Sequence, residues 1–279
     1  MREKMTDSQP TLKIRTATVP RRTYMHFDHA YQGVNPIWKG YVVTSDNIME
    51  QAYVKKVNNI NELYKEVVCS LLGRAIGINT PEPLIVYVDK EHPQINSNPN
   101  ELFFGTIDCE SNSFARYIED NEFHEDEILT YQDLHKIISF DELVANADRH
   151  SKNILFNGTT YFFIDHGETF IPALDYNQPL IQHKWGRNIL AENFKTKFGN
   201  DLTKTKQFLR KVESFISSFV DEDKILNIDN LSDINQKDLN NHHKNIKNFL
   251  IQRLPLLIKH VKCCVSSPLQ SEQLTFDLD

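Results

Sequence analysis

The sequence NADRHSKN at residues 146–153, followed by IDHG at 164–167, holds the densest set of reactive side chains in the chain. Between them lie two apolar runs, NILF (153–156) and TYFFI (160–164), on either side of Asn157-Gly158. An Asn-Gly pair between two such runs predicts a hairpin with a two-residue type I′ turn. That turn would place Asn153 opposite Phe162 and bring Asp165 to the same open end of the hairpin as the loop 148–153.

The side chains gathered at this end favour phosphate chemistry. Oxygen ligands from Asn153 and Asp165 suit Mg²⁺, which keeps several waters and also takes phosphate oxygens. The nearby carboxylate of Asp148 could orient or deprotonate an attacking hydroxyl. These groups fit phosphoryl transfer, in which positioning and charge neutralisation supply most of the catalysis.

The rest of the chain predicts an α+β fold in two lobes. Residues 41–56 are typical of two short strands, and Asn59 with Glu62 marks the start of a helix. Residues 84–88 and 103–107 are further strand candidates, whereas the sequence from about residue 125 is mostly helical apart from the hairpin. Strands with one helix, followed by helices with one hairpin, indicate segregated α and β layers.

Composition limits the partners and the compartment. The 279 residues carry 31 basic and 38 acidic side chains, a net charge of −7, which disfavours direct binding to nucleic acid or to an anionic membrane. No apolar run approaches the roughly 18 residues of a membrane span, and the first residues lack the apolar stretch of a secretory signal. The four cysteines form no C-x-x-C motif, so we expect a reducing, cytoplasmic protein without structural zinc.

The pattern D-R-H-x-x-N followed by I-D-H-G resembles the catalytic and metal-binding loops of the HipA-like kinases, which are related to the phosphatidylinositol kinases and the protein kinases. The segments AYVK (52–55), NEL (61–63), LLGRAIGI (71–78) and PEP (81–83) are similar to that family's lysine strand, its glutamate helix and the turn beyond. The resemblance covers roughly residues 30–260 and implies a protein-kinase-like fold. The expected division is a polar N-terminal segment (1–22), either a flexible arm or a first irregular strand, a strand-rich N-lobe (23–118), a helical C-lobe (119–262) and a polar, acidic and disordered tail (263–279).

The resemblance also implies ATP and Mg²⁺ as cofactors and assigns the site. Asp148 would be the catalytic base, with His150 beside it in the catalytic loop, and Asn153 and Asp165 would hold Mg²⁺. Lys55 would hold the ATP phosphates, with Glu62 orienting it through an ion pair. Two alternatives stay open: Lys56 competes with Lys55, because only one of two successive strand residues can face the cleft, and Glu66 could replace Glu62.

The loop that covers the phosphates is the main departure from the family. No G-x-G-x-x-G occurs, and the candidate is GVNPIWKG, in which Gly33 and Gly40 could allow close backbone approach to phosphate. This segment has no serine, so the autophosphorylation switch that some relatives carry there is not expected.

These features predict an ATP- and Mg²⁺-dependent kinase that phosphorylates a serine or threonine on a protein. One alternative is a pseudokinase or binding module of a regulatory or toxin–antitoxin-like complex, and another is a lipid or small-molecule kinase. A third is a hydrolase with a metal held by Asp148, His150, Asp165 and His166. The tail segment Gln273–Leu278 resembles peptides that dock on bacterial sliding clamps, which would add a partner protein.

Overall fold

The computed structural model describes residues 14–27, 35–98, 101–121, 123–171, 174–184, 186–220 and 237–266. The first part is a six-stranded sheet in the order β1-β5-β6-β4-β3-β2. Its strands are β1 (Arg15–Val19), β2 (Met25–Phe27), β3 (Ile37–Thr44), β4 (Met49–Lys55), β5 (Pro83–Val88) and β6 (Leu102–Ile107).

This sheet curls until it closes on itself. Strand β1 runs parallel to β5 and also pairs antiparallel with β3 through Ala17 and Thr18. The side chains that alternate inward form a closed apolar core, which includes Val42, Val54 and Phe103. The outward face of β4 therefore carries every second residue, Tyr53 and Lys55 among them.

Helix α1 (Ile60–Ala75) packs on that outward face and starts at the predicted residue. The Asn59 side chain accepts a hydrogen bond from the Glu62 backbone N–H at 3.0 Å, which satisfies one of the free donors of the first turn. Leu63 and Val67 are buried in the larger of two apolar cores, together with Ile85 and Phe104 from the sheet. The helix thus presents Glu62 and Glu66, one turn apart, to the outward face of β4.

The second part is mostly helical, so the predicted α+β class is confirmed. Its helices are α2 (Phe114–Asn121), α3 (Leu134–Val144), α4 (Ile189–Phe198), α5 (Leu202–Val220), α6 (Lys237–Arg253) and α7 (Leu257–Val265). A small sheet in the order β7-β8-β9 joins β7 (Asn112–Ser113), β8 (Ile154–Phe156) and β9 (Tyr161–Phe163). None of the helices described here is long and apolar enough to cross a membrane.

A buried ion pair ties the helices of this part together. Arg253, at the end of α6, donates to Oε1 of Glu142 on α3 at 2.9 Å and to the Glu142 backbone oxygen at 2.8 Å. Both side chains are fully excluded from solvent. Glu142 Oε1 also accepts the backbone N–H of Leu180. This pairing satisfies a charge on α3 that would otherwise be costly to bury.

Three predicted domain boundaries need correction. Arg15–Val19 is a strand paired with β5, so the strand alternative holds for these residues and the N-lobe begins before residue 23. The boundary between residues 118 and 119 falls inside α2, whereas β7 already pairs with β8 of the helical part. Helix α7 continues to Val265, past the predicted start of the tail at 263, and the segment Gln273–Leu278 lies outside the described residues.

Candidate active site

The hairpin of β8 and β9 has a different register from the prediction. Phe156 pairs with Tyr161, so the turn contains four residues rather than two. The Asn157 side chain accepts the backbone N–H groups of Thr159 and Thr160, which stabilises the longer turn without the paired type I′ geometry. The shift places Asn153 opposite Ile164, whose backbone N–H donates to the backbone oxygen of Asn153 at 3.2 Å. The chain therefore brings Asp165 directly beside the loop that precedes β8.

That loop leaves α3 through a sharp reversal. Ala145 has a left-handed backbone, with φ 55°, and ends the helix. Asn146 then holds the next residues, since its side-chain oxygen accepts the Asp148 N–H at 3.0 Å and its amide donates to Asp141 at 3.1 Å. The Asp148 side chain stays 47% exposed. The reversal thus presents a carboxylate to solvent beside Asn153.

Arg149 fixes the loop and the hairpin end to each other. Its guanidinium is completely buried and forms an ion pair with Asp141 of α3 at 3.0 Å. It also donates to the backbone oxygens of Asn153, at 3.0 Å, and Ile164, at 2.5 Å. Because one oxygen belongs to the predicted metal ligand Asn153 and the other to the residue before Asp165, Arg149 sets the spacing between the two predicted ligands.

Asn153 and Asp165 each leave oxygen available to a cation. The Asn153 amide donates both to the Asp148 backbone oxygen, at 2.8 Å, and to Asp148 Oδ2, at 3.1 Å. The amide nitrogen is thereby committed to Asp148, and Oδ1 is the atom that can accept. Asp165 has a left-handed backbone, with φ 59°, and its side chain is 34% exposed.

Lys55 lies against Asp165 and thereby joins the two lobes. Its ammonium donates to Asp165 Oδ1 at 2.9 Å and to Glu66 Oε1 at 2.7 Å. Burial alone would lower the pKa of Lys55, but the charges of Glu66 and Asp165 and the hydrogen bonds to them raise it well above its ordinary value. Burial would raise the pKa of Asp165, but the charge of Lys55 and the hydrogen bond from it lower that pKa below its ordinary value. Both groups are therefore charged at neutral pH.

Of the two neighbouring lysines, Lys55 contacts the carboxylates of the candidate site and Lys56 does not. Lys56 points away from the carboxylate cluster, donating to the Asn96 backbone oxygen at 3.0 Å and pairing with Glu101 at 3.1 Å. Strand alternation is the cause, since neighbouring residues of an extended chain face opposite sides.

The lysine has two glutamate neighbours, and Glu66 is the nearer. Glu66 is buried, and its second oxygen accepts the backbone N–H of His166 at 2.8 Å. Burial raises the pKa of Glu66 to about 7, although the charge of Lys55 opposes the shift. Glu62 Oε1 lies 3.5 Å from the Lys55 ammonium, so the predicted ion pair exists, but Glu66 makes the shorter contact.

The two histidines of the motifs have different surroundings. His150 Nε2 lies 3.5 Å from Asp148 Oδ2, which places it beside the candidate base. His166 is fully buried, and burial together with the charge of Arg149 lowers its pKa well below the ordinary value. Its Nδ1 lies 3.3 Å from an Arg149 nitrogen, so this ring is part of the scaffold.

The prediction that Gly40 lies in a phosphate-covering loop is wrong. Gly40 is inside β3 and pairs with Met25 of β2. A side-chain carbon at Gly40 would overlap the sulfur of Met25, so the glycine permits strand packing and leaves no room for phosphate on that side. Gly33 lies outside the described residues.

The donor set fits ATP with Mg²⁺ better than a metal held by protein alone. Among the described residues, no three His, Cys, Asp or Glu side chains are grouped so that they could hold a metal ion. An amide oxygen at Asn153 and a carboxylate at Asp165 would instead leave coordination positions for phosphate and water, as Mg²⁺ prefers. Lys55 adds the positive charge that a phosphate group needs.

Sequence reasoning missed the buried scaffold beneath these residues. Arg149 lies within the motif at 148–150, but the motif alone does not indicate its structural role. Its partner Asp141 interrupts a run of apolar residues in α3, where Leu134, Ile137 and Phe140 are buried. A carboxylate inside an apolar helix must be paired, so this position was the available signal.

Comparisons with known proteins give one family match and two structural neighbours of low sequence identity. The family model described as HipA-like kinase matches residues 42–248. A crystal structure of the proinflammatory kinase CtkA from Helicobacter pylori is similar, with 16% sequence identity, a TM-score of 0.47, and coverage of 87% of this chain and 96% of that one. The structure of hydra Fam20 with sugar is similar at 15% identity and a TM-score of 0.45, covering 90% of this chain and 85% of that one. A search of curated proteins found no significant match.

The family match spans β4, α1, the loop 146–153 and the hairpin, which together contain the whole carboxylate–lysine cluster. It covers about three quarters of the residues and includes every candidate site residue except those in the segment before residue 42. This chain belongs to the HipA-like kinase family.

Proposed function

We propose that the protein is an ATP- and Mg²⁺-dependent phosphotransferase that transfers the terminal phosphoryl group of ATP to a serine or threonine hydroxyl of a protein. The observation that carries the proposal is the contact of Lys55 with Asp165 at 2.9 Å, beside a loop in which Asn153 is hydrogen-bonded to Asp148. Phosphate-binding charge, metal-binding oxygens and a candidate base thus meet in one cleft.

Each residue then has a distinct part in the reaction. Asp148 Oδ orients the acceptor hydroxyl and accepts its proton as the new oxygen–phosphorus bond forms and the bond to ADP breaks. Lys55 neutralises charge on the phosphates, and Glu66 holds Lys55 in place. Asn153 Oδ1 and Asp165 would hold Mg²⁺, which when bound neutralises the phosphate oxygens. His150, next to Asp148, helps to orient this carboxylate.

Two features favour turnover over a pseudokinase or a metal-dependent hydrolase. Asp148, Asn153 and Asp165 are all present and adjacent, whereas a binding module has no need to keep all three. The hydrolase would use the His166 ring as a ligand, but that ring is buried behind Asp165 against Arg149 and Phe140.

A protein acceptor is supported by the exposure of the base. The Asp148 side chain lies at the mouth of the cleft with nearly half of its surface open, so a hydroxyl on a large partner could reach it. We propose that this partner is a protein of the cytoplasm, as substrate or as a regulatory component of a toxin–antitoxin-like pair. A lipid or small-molecule acceptor is the second candidate.

The test is transfer of labelled phosphate from ATP. The purified protein is incubated with labelled ATP and Mg²⁺ in three parallel reactions, with protein from its native cell, with lipid vesicles, and with a metabolite extract. We expect labelled phosphoserine or phosphothreonine in the protein reaction and loss of the label when EDTA removes Mg²⁺. Label in the lipid or metabolite fraction alone would overturn the proposed acceptor, and ATP binding without transfer would favour the pseudokinase.

A further inference from the structure

Three carboxylates surround the Lys55 ammonium. Glu66 and Asp165 each accept a hydrogen bond from it, and Glu62 Oε1 lies 3.5 Å away as a third carboxylate. All three carboxylates lie within ion-pair distance of a single positive charge. A phosphate group that approaches Lys55 must therefore replace one of them or be repelled.

Glu62 is held in place by groups other than Lys55. Its Oε2 accepts the backbone N–H of Asn58 and the Asn58 side-chain amide, both at 3.0 Å. Its Oε1 accepts the side-chain amide of Asn35, at the entrance to β3. Asn58 in turn donates to the Asn35 side-chain oxygen at 2.9 Å. Glu62 thereby fastens the segment before β3 to the start of α1.

Glu62 is also placed against the loop that follows Asp165. A side-chain carbon built on Gly167 would lie 3.4 Å from Cγ of Glu62 and 3.5 Å from its Oε1. The carboxylate thus fills the space between Asn35, Lys55 and Gly167, on the side of the cleft that the proposed function gives to the phosphates.

The three carboxylates differ in how easily they can leave Lys55. Glu66 is buried and also bonded to the His166 backbone, and Asp165 is the proposed metal ligand, so each has a second role that fixes it. Glu62 makes the longest contact with Lys55, and its other hydrogen bonds, from Asn35 and Asn58, keep its carboxylate paired when the Lys55 contact is lost. It is the carboxylate that phosphate can displace at the lowest cost.

We propose that Glu62 forms an ion pair with Lys55 in the nucleotide-free protein and that the phosphates of ATP displace it. We call this displaceable ion pair the Glu62 latch. The inference rests on the proposed function. The expected change in nucleotide affinity is opposite to that for a residue that orients the lysine. Removing the Glu62 charge strengthens nucleotide binding, whereas removing the Glu66 charge weakens it.

The test measures the affinity of a non-hydrolysable ATP analogue with Mg²⁺ by isothermal titration calorimetry. We expect Glu62→Gln to bind it about tenfold more tightly than the parent, because one charge near the phosphates is removed while the helix-capping hydrogen bonds can be kept. Adenosine, which has no phosphates, should bind both proteins equally. Glu66→Gln should bind the analogue more weakly.

A matched control is Glu101→Gln, which removes the same charge from the Lys56 pair on the other side of the strand and should leave the affinity unchanged. If Glu62→Gln does not fold, Glu62→Asp can be used instead. Its shorter side chain keeps the charge but holds it farther from Lys55, so we expect a smaller increase in affinity for the analogue. Equal or weaker binding by the Glu62 variants would overturn the latch while leaving the kinase proposal standing. If neither the parent nor the variants bind nucleotide, both proposals fail.

Discussion

Asp148→Asn is expected to slow phosphate transfer by a factor of about 10² to 10⁴, the usual contribution of a positioned general base. The amide has nearly the same shape and can keep the hydrogen bond from Asn153, so nucleotide affinity should change little. Asp165→Asn should slow phosphate transfer by a similar factor, about 10³, because several kcal/mol of metal-based charge stabilisation are lost. This second variant should also bind Mg²⁺–nucleotide more weakly.

The measurement is the initial rate of labelled phosphate transfer, paired with nucleotide affinity for each variant. Asp126→Asn serves as the matched control, since it neutralises an exposed aspartate that pairs with Lys197 at 3.1 Å, outside the cleft. It should retain the parent rate. An Asp148→Asn protein that keeps more than about a tenth of the parent rate would exclude Asp148 as the base.

Arg149→Met is expected to destabilise the protein by about 3 to 5 kcal/mol, since it leaves the Asp141 carboxylate buried without its partner. The backbone oxygen of Ile164 would lose its Arg149 donor at the same time, and that of Asn153 would keep only the Ile164 N–H. The free energy of unfolding can be measured by urea denaturation followed by far-ultraviolet circular dichroism.

Two further variants distinguish the cost of leaving a buried charge unpaired from the cost of losing an ion pair at the surface. Arg187→Met breaks a contact of similar length with Glu192, at 2.8 Å, but that arginine is exposed, so we expect a loss below about 1 kcal/mol. Adding Asp141→Leu to Arg149→Met should recover part of the stability, because no unpaired charge then remains in the core. Equal effects of the two arginine substitutions would contradict the account of the buried network.

The sequence predicted the parts of the fold whose signals are local. The start of α1 follows from the Asn59 cap, and β3 to β6 follow from short apolar runs separated by polar turns. For strand β1 the sequence left an arm and a strand both open, because its five residues are stabilised as a strand by pairing with β5 and β3, which are distant in sequence. The register of the hairpin was missed for a related reason: the Asn157 side chain stabilises a longer turn than Asn-Gly usually forms.

Within the site, the motif located the carboxylates but not the connections between them. Lys55 and Lys56 are adjacent in sequence, and the face of β4 that carries Lys55 is fixed by its pairing with Ile37 and Phe104 on neighbouring strands. Which of Glu62 and Glu66 lies closer to Lys55 likewise depends on how α1 packs against the sheet, and the sequence does not show this. Gly40 was misplaced because a glycine permits close approach to any neighbour, and here the neighbour is Met25.

The central claim is that Asn153 and Asp165 hold one magnesium ion next to the terminal phosphate of ATP, within reach of Asp148. A crystal structure with Mg²⁺ and a non-hydrolysable ATP analogue tests it most directly. We predict one ion coordinated by the side-chain oxygens of Asn153 and Asp165 and by phosphate, at the roughly 2.0 to 2.1 Å typical of magnesium. A nucleotide bound elsewhere, or an ordered nucleotide in the cleft with these two side chains turned apart and no ion between them, would contradict the claim.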